Sequence, residues 1–294
     1  MANQASIDWS GVNGRGGQLS ANSPLDQGGH QQSVIRQVSI IGGKGRDGLH
    51  DAIDRLDLNM GDVVSVVGPT GSGKTTLIND MELFADGDTP TGRRILINGE
   101  TPPEVFRDDP SRNPIALITQ HTSFLSDLPV DVFLHTHAGI RRSSSREADE
   151  LVRQTLDFAN QLTGEPISLS SSMTELSGGQ TRSLLIADAT IICDTPIVLL
   201  DEVENAGINR SRALELLRGY KKIFIFVTHD PRIALLSDYR IILRDGRIAD
   251  VLKTDARERA LAPTVARFDD VLSDIRDRLR QGLRIENFDF GDVA

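Results

Sequence analysis

Short hydrophobic runs bounded by turn-forming residues recur along most of the chain, and they predict a series of strands. The runs lie at 34–41, 56–68 (two strands around Gly61-Asp62), 93–99, 114–120, 196–202, 221–230 and 239–252. The last run contains Asp245-Gly246, a dipeptide typical of a tight hairpin turn. The segment "KTTLINDMELFA" at 74–85 predicts a helix instead. A strand therefore precedes the glycine-rich stretch at 68–76, and a helix follows it.

Two further segments carry apolar residues at helical spacing. The first includes the polar start "SREADELV", and its residues at helical spacing are Leu151, Thr155, Phe158, Ala159 and Leu162. The second lies near the C-terminus, with spacings of 4, 3, 4, 3 and 4 between Leu261, Val265, Phe268, Leu272, Ile275 and Leu279. We expect this C-terminal helix to pack on its own domain; the alternative is that it docks on a partner or on a second copy of the chain.

Composition narrows the class of protein. The chain of 294 residues has a formal net charge of −10, which argues against a nucleic-acid partner bound through its backbone phosphates. The single cysteine, Cys193, favours a reducing setting and is interpreted as a small core residue. No apolar run approaches the roughly 20 residues that span a bilayer, so we expect a cytoplasmic protein that can reach the inner face of a membrane through a partner. Residues 1–33 are rich in Gly, Ser, Asn and Gln and are expected to form a disordered arm.

The stretch "GPTGSGKTT" has the pattern of a phosphate-binding loop. It comprises Gly68, Pro69, Thr70, Gly71, Ser72, Gly73, Lys74, Thr75 and Thr76. Glycines allow the backbone N–H groups to turn inward onto phosphate oxygens, and the following helix adds its partial positive charge. Lys74 would bring a full positive charge to the β- and γ-phosphates, and the hydroxyl of Thr75 would bind Mg²⁺. The loop therefore predicts a nucleoside triphosphate with Mg²⁺.

Three other segments carry side chains suited to the same chemistry. The strand at 196–202 ends in Asp201, a ligand for Mg²⁺, and Glu202, a general base for the attacking water. The segment "FVTHD" places His229 at the end of a strand, where it can reach the γ-phosphate. The segment "TELSGGQ" precedes a helix and predicts a second anion-binding helix start. Its predicted nucleotide-binding residues are Ser177, Gly178, Gly179 and Gln180.

A His-x-His pair in the middle of the chain is a weak candidate for a metal site. The pair is His135 and His137, and the sequence offers no convincing third ligand. Both histidines are interpreted as surface or packing residues.

Taken together, these motifs resemble the nucleotide-binding subunit of the ATP-binding cassette (ABC) family. The motifs that carry the resemblance are Gly68–Thr76, Gln120, Leu176–Gln180, Ile197–Glu202 and His229, and the resemblance covers about 34–252. It implies an α/β P-loop NTPase fold of ABC type, with a mainly parallel sheet core and an antiparallel β subdomain. It also implies a helical subdomain at about 121–190, and we expect a C-terminal helical extension at 253–294.

The resemblance also implies how the motifs are used. ATP would lie between the phosphate loop of one subunit and the LSGGQ helix start of a second ABC subunit, identical or different, and would close that dimer. Gln120 would contact Mg²⁺ and report to whatever binds the helical subdomain. The implied catalytic residues are Glu202, His229 and Gln120, and the implied Mg²⁺ ligands are Thr75, Gln120 and Asp201.

Several positions depart from the family pattern. Residues 203–204 and "NAGI" at 205–208 stand where transport ATPases usually have Pro-Thr and Ser-Ala-Leu-Asp. The usual adenine-stacking aromatic is absent, and either Arg46, as a cation, or His50 could take its place. Asp188 stands where the family usually has an arginine.

Three functions are compatible with these motifs. The leading hypothesis is an ATP-hydrolysing motor subunit of a membrane transporter, because 119–134 resembles the segment that couples Gln120 to a membrane-spanning partner. The alternative is a soluble ABC ATPase that drives assembly or activation of a client, such as a metalloprotein complex; the unusual residues 203–208 and the acidic C-terminal helix favour it. The third, a nucleotide-dependent switch with negligible turnover, is disfavoured by the presence of Glu202.

Overall fold

The computed structural model describes residues 34–109, 112–124, 126–141, 145–202 and 210–285. The predicted arm at 1–33 and the departures from the family pattern at 203–208 lie outside the described residues. The strands are β1 (Gln37–Ile41), β2 (Arg55–Asn59), β3 (Val63–Val67), β4 (Arg94–Ile97), β5 (Ile115–Ile118), β6 (Ile197–Asp201), β7 (Ile223–Val227), β8 (Tyr239–Arg244) and β9 (Arg247–Lys253). The helices are α1 (Lys74–Glu82), α2 (Val105–Asp108), α3 (Val130–Arg141), α4 (Ser145–Leu162), α5 (Gly178–Thr190), α6 (Arg210–Arg218), α7 (Pro231–Leu236) and α8 (Ala256–Arg280).

A six-stranded sheet forms the core of the described chain. Its strand order is β5-β6-β7-β3-β8-β9; the first five strands are parallel, and β9 pairs antiparallel with β8. The hairpin between β8 and β9 turns at Asp245 and Gly246, which have φ values of 53° and 86°. Positive φ at both positions is what an Asp-Gly hairpin turn requires. The predicted parallel core and its terminal hairpin are therefore confirmed.

The central strands are hydrophobic throughout because both faces of the sheet are covered. In β6, Ile197 and Leu199 belong to the core cluster that includes α1 and the small N-terminal sheet. Val198 and Leu200 belong to the cluster that includes α3, α4, α5, α6 and α7. The unbroken hydrophobic runs of the sequence thus correspond to burial on two sides.

Two further parts are attached to this core. Strands β2, β1 and β4 form an antiparallel sheet in that order, as expected for the β subdomain. Helices α3, α4 and α5 pack together around buried Leu134, Phe158 and Leu184, as expected for the helical subdomain. None of the described helices is both long and apolar enough to cross a membrane.

The C-terminal helix α8 packs on the domain only in part. It contacts α7, buries Ala262, and forms ion pairs from Glu258 to Arg240 and from Arg259 to Asp238. Four residues of the predicted apolar stripe are about half exposed, namely Leu261, Phe268, Leu272 and Leu279. The expectation that the stripe packs on its own domain is therefore met only in part, since Val265 and Ile275 are partly buried while the other four residues are exposed.

One buried arginine joins three separate segments. Arg93 is fully buried and forms a bidentate ion pair with Asp51, with Nε–Oδ2 at 2.8 Å and Nη2–Oδ1 at 2.9 Å. Its Nη1 lies 3.3 Å from Oδ2 of Asp80 in α1, and its Nη2 donates to the carbonyl oxygen of Gly246 at 2.8 Å. Burial raises the pKa of Asp51, but its hydrogen bonds, above all the one from Arg93, hold that pKa below its usual range. A single cation thus ties Asp51, α1 and the β8–β9 turn together.

We predict that Arg93→Met strongly destabilises the protein. The substitution leaves the buried carboxylates of Asp51 and Asp80 without their cation, and breaking a buried ion pair in this way costs about 3–5 kcal/mol. Urea titration measures the free energy of unfolding. The matched control is Arg94→Met, because Arg94 pairs with Asp86 at an exposed position, where the expected loss is below about 1 kcal/mol. Equal losses in the two variants would contradict the role assigned to Arg93.

Candidate functional site

The carboxyl ends of four parallel strands meet at one edge of the large sheet. The phosphate loop follows β3, Gln120 follows β5, Asp201 ends β6, and His229 follows β7. Because these strands are neighbours in the order β5-β6-β7-β3, the four segments share one crevice. They line a pocket of about 320 Å³, which is at the lower end of the range for small-molecule sites.

Most of the predicted site residues line this pocket. They are Arg46, Thr70, Gly71, Gly73, Lys74, Thr75, Thr76, Gln120, Asp201, Glu202 and His229. The other loop residues, Gly68, Pro69 and Ser72, are not among the lining residues of this described pocket. Thr119, His121 and Val227 also line it, although the sequence does not single them out. The sequence could have indicated them only through their neighbours, since Thr119 and His121 flank Gln120 and Val227 ends β7, two residues before His229.

The start of α1 presents its backbone N–H groups to the pocket. Gly73 is the N-cap with φ of 100°, no side chain caps the helix, and its first turn contains no acidic residue. The first N–H groups of a helix have no partner within the helix, and together with the helix dipole they favour a bound anion. Because Gly73, Lys74, Thr75 and Thr76 all line the pocket, phosphate is the ligand that this helix start fits.

The side chain of Lys74 fixes the conformation of the phosphate loop through hydrogen bonds to the loop backbone. Its ammonium donates hydrogen bonds to the carbonyl oxygens of Gly68 at 2.9 Å and Pro69 at 3.1 Å. An ammonium has three N–H donors, so Lys74 can fix the loop with two of them and bind a phosphate oxygen with the third. The residue is 8% exposed, which keeps its charge at the pocket rather than in bulk water.

Two loop glycines are required by close approaches of the backbone. A Cβ atom on Gly73 would lie 2.7 Å from Cα of Gly246, and one on Gly68 would lie 2.5 Å from the carbonyl oxygen of Leu243. Both contacts are with backbone atoms of the β8–β9 hairpin, which cannot turn aside as a side chain can. The hairpin therefore sets the position of the phosphate loop.

The end of β6 contributes two carboxylates to the same pocket. Glu202 has φ of 52°, a left-handed conformation that costs a non-glycine residue roughly 1–2 kcal/mol, and its N–H donates to the carbonyl oxygen of Val227 at 3.0 Å. Its carboxylate is 39% exposed and lies 4.0 Å from Nε2 of His229. Strain of this kind is often found where it directs a reactive side chain. Strands β6 and β7 thus position Glu202 and His229 side by side.

Three oxygen donors line the pocket beside the loop. They belong to three lining residues, Asp201, Thr75 and Gln120, whose side chains carry a carboxylate, a hydroxyl and an amide oxygen. Mg²⁺ prefers oxygen ligands and usually takes one or two from the protein, completing its shell with phosphate oxygens and water. The donor set therefore fits Mg²⁺ bound together with a phosphate.

The LSGGQ residues shape the start of α5 and lie outside this pocket. The Oγ of Ser177, the N-cap, accepts from the N–H of Gln180 at 3.3 Å, and Oε1 of Gln180 accepts from the N–H of Ser177 at 2.9 Å. Nε2 of Gln180 donates to the carbonyl oxygen of Pro166 at 3.0 Å. Both ends of the Gln180 side chain are thus engaged within the chain, whereas Ser177 and Gly178 are exposed at the helix tip.

A contact that the sequence does not signal links α5 to Gln120. Nη2 of Arg182 donates to the carbonyl oxygen of Gln120 at 2.6 Å, and Nη1 donates to the carbonyl oxygen of Gly178 at 3.2 Å. One side chain therefore touches both the start of the Ser177 helix and the segment that follows β5. The pocket and the LSGGQ helix start are thereby mechanically connected within one chain.

Of the two residues considered for adenine, Arg46 lies at the pocket. Its side chain is exposed, and its N–H donates to the carbonyl oxygen of Asp245 at 2.8 Å, beside the β8–β9 turn. His50 is not among the residues that line the described pocket, and it forms a bridge with Lys44 instead. Stacking of adenine on Arg46 stays a prediction, and its position is favourable.

One interpretation made for the middle of the chain is wrong: Cys193 is only partly buried, so it is not a core residue. The ring of His137 packs against Phe133, in keeping with its interpretation as a packing residue. The side chains of Cys193 and His137 both contact the carboxylate of Asp188. His135, by contrast, contacts Asp131 and Asp149.

Comparison with known proteins identifies the family to which this chain belongs. The ABC transporter family model matches residues 53–205. An uncharacterised ABC transporter ATP-binding protein of Methanocaldococcus jannaschii is 43% identical over 255 residues, which are 87% of this chain and 97% of that protein. The chain therefore belongs to the ABC transporter family, and it is an ATP-binding, ATP-hydrolysing member of that family.

Other similarities agree with this assignment. The ATP-dependent lipid A-core flippase of Ralstonia nicotianae is 31% identical over 248 residues, which are 77% of this chain but 39% of that protein. The dimeric structure of an ATP-binding cassette in a post-hydrolysis state, bound to ADP and phosphate, has a TM-score of 0.57 at 24% identity. The alignment covers 74% of this chain and 99% of the chain in that structure. At that identity the likeness shows the fold alone, and it confirms the predicted ABC-type P-loop fold.

We predict that Gly73→Ala weakens ATP binding at least about tenfold, because the new methyl group would force the phosphate loop away from Gly246. The matched control is Gly99→Ala: Gly99 also has positive φ, 85°, but a Cβ there meets nothing within 4 Å. Both variants carry backbone strain of roughly 1–2 kcal/mol, yet only Gly73→Ala should lose affinity. Calorimetric titration with ATP measures the difference. Unchanged affinity in Gly73→Ala would show that the hairpin does not set the loop.

Proposed function

We propose that this chain is the motor subunit of a membrane transporter and that two ABC subunits hold ATP between them. The observation that supports the proposal is the convergence of Lys74, Asp201, Glu202 and His229 at one pocket, while the helix start at Ser177 lies outside it. A head-to-tail dimer requires a phosphate pocket and a second anion-binding helix start that does not line the same pocket of its own chain. Each copy then completes the site of the other.

Phosphate binding rests on the loop and the start of α1. Lys74 and the N–H groups of the loop neutralise the β- and γ-phosphates. Thr75, Asp201 and Gln120 would hold Mg²⁺, which would supply further positive charge to the triphosphate. Arg46 lies against the adenine ring. The remaining residues of the phosphate loop contribute backbone N–H groups, which the glycines allow to point toward the phosphate oxygens.

Hydrolysis depends on the carboxylate of Glu202. It accepts a proton from a water molecule whose oxygen forms a bond to the γ-phosphorus. The bond from the γ-phosphorus to the oxygen that bridges it to the β-phosphate breaks, and that oxygen leaves with ADP. His229, beside Glu202 at 4.0 Å, contacts the γ-phosphate and stabilises the charge that develops there. Gln120 orients the reacting groups from the end of β5.

Closure of the dimer follows from a contact that only ATP can make. The Ser177 helix start of the second copy, with the N–H groups of Gly178 and Gly179, contacts the γ-phosphate held in the first copy. Because ADP lacks that phosphate, the closed dimer is stabilised by ATP and loses its bridge on hydrolysis. Gln180 supports this contact indirectly by capping the helix.

A membrane-spanning subunit is the proposed partner. The segment after Gln120 leads into α3. Leu128, just before the helix, and Val132, in its first turn, are 43% and 44% exposed. These apolar side chains offer a surface on which a partner's helix can dock. Arg182 connects the same segment to α5, so events at the γ-phosphate can reach that surface. The flippase among the relatives supports transport; a soluble client protein is the alternative.

We predict that Glu202→Gln slows phosphate release by about 10²–10⁴-fold while ATP binding is kept, so that closed dimers accumulate. Phosphate assays and light scattering with ATP and Mg²⁺ measure the two effects. Adding Ser177→Arg to this variant should keep the chain monomeric, since the helix start could no longer reach the γ-phosphate. Adding Lys74→Ala instead should abolish the dimer through loss of ATP binding. Turnover of Glu202→Gln at the wild-type rate would show that another group is the base.

We expect a membrane-spanning protein to co-purify with the intact protein in mild detergent and to be lost in Val132→Asp. The charge introduced there would be buried against the partner's apolar surface. Leu252→Asp is the matched control, because Leu252 is 40% exposed on β9, away from the proposed surface. Mass spectrometry identifies the companion. A soluble companion would contradict the transporter proposal. Equal recovery of a membrane-spanning companion with both variants would contradict the proposed docking surface, and neither result bears on the ATPase site.

A further inference from the structure

Three side chains that the ATP reaction does not use meet in the helical region. They are His137 on α3, Asp188 on α5 and Cys193 in the turn after α5. Nδ1 of His137 lies 2.9 Å from Oδ1 of Asp188, and Sγ of Cys193 lies 3.6 Å from Oδ2 of the same carboxylate. Nε2 of His137 lies 3.9 Å from that Sγ. The cluster therefore gathers nitrogen, oxygen and sulfur donors at one point.

The surrounding structure holds these donors in place. The ring of His137 packs against Phe133, with the ring centroids 6.0 Å apart. Asp188 is 7% exposed, and its carbonyl oxygen accepts the N–H of Cys193 at 2.9 Å, which fixes the cysteine just beyond the helix. Two helices and a hydrogen-bonded turn thus order the three side chains in advance.

We propose that His137, Asp188 and Cys193 bind one Zn²⁺ ion, with water as the fourth ligand. Zinc takes histidine nitrogen, carboxylate oxygen and cysteine sulfur, usually as a tetrahedron. With bonds of about 2.0–2.3 Å, neighbouring ligand atoms of such a site lie roughly 3.3–3.6 Å apart. One donor atom from each residue already lies within 4.8 Å of the others, so small rotations of the side chains close the site.

The carboxylate of Asp188 lies at the centre of the cluster, in contact with both His137 and Cys193. A metal ion held by the three side chains would therefore be paired with a negative charge. Zinc would replace the protons of the imidazole and the thiol, because both groups bind metal in their deprotonated forms.

The donor set distinguishes this site from the Mg²⁺ site. Mg²⁺ prefers oxygen ligands and keeps several waters, whereas thiolate and imidazole together select zinc and similar ions.

The position of the site also has a mechanical consequence. Helix α3 follows the Gln120 segment and α5 begins at the Ser177 cap, so a bound ion clamps the two helices that flank the proposed coupling route.

Metal titration of the full chain tests the site. The protein is purified without a polyhistidine tag, stripped with a chelator, and titrated with Zn²⁺ and separately with Co²⁺. One Zn²⁺ should bind per chain, and Co²⁺ should give the charge-transfer absorption of a cobalt–thiolate bond. Cys193→Ser should remove that absorption. Asp188→Asn and His137→Gln should weaken Zn²⁺ binding by more than about 100-fold, since even an outer-shell partner is worth about 10–100-fold.

The matched control is His135→Gln. His135 lies on the same helix, but it contacts Asp131 and Asp149 instead of the cluster, so Zn²⁺ affinity should be that of the wild type. Equal Zn²⁺ affinity in His135→Gln and Cys193→Ser would overturn the proposal. So would a wild-type Co²⁺ spectrum without thiolate absorption, and that measurement decides the question even where a variant fails to fold.

Discussion

The phosphate loop keeps its shape because the β8–β9 turn lies directly against it. Gly73 leaves no room for a side chain between its own Cα and Gly246, and Arg93 holds the carbonyl oxygen of Gly246. Arg93 also pairs with Asp80 in the helix that starts at the loop. One buried cation therefore fixes both the helix that follows the loop and the turn that supports it. The backbone N–H groups of the loop are therefore held in position without the nucleotide. Hydrogen-bond donors that are already oriented stabilise developing charge without a further cost of reorganisation.

Strand order then assembles the chemistry around this fixed loop. Strands β5, β6 and β7 end beside β3, so Gln120, Glu202 and His229 reach the pocket from rigid neighbours rather than from long loops. Gln120 belongs to the pocket and also, through Arg182, to the helical region. The same helical region holds the cluster that we propose as a zinc site. Arg182 thus links the pocket to α5, the helix that carries Asp188.

Local patterns in the sequence predict much of this arrangement, and distant contacts account for the rest. The phosphate loop, the acidic end of β6 and the turn at Asp245-Gly246 could be predicted because the residue types at a few consecutive positions indicate them. The contact of Gly73 with Gly246, which positions the loop, could not be predicted in this way. Two of the partners of Arg93, Asp51 and Gly246, lie 42 and 153 positions away in the sequence, and His137 and Asp188 are 51 positions apart. No local pattern signals such contacts. Helical spacing likewise shows which face of α8 is apolar but not what covers it.

Joint binding of one triphosphate by two subunits is tested most directly by the structure of Glu202→Gln with ATP and Mg²⁺. We expect the γ-phosphate to be bound by Lys74 of one copy and contacted by the Ser177 helix start of the other. A structure with ATP seated in the pocket and no second copy within reach of the γ-phosphate would contradict this mechanism.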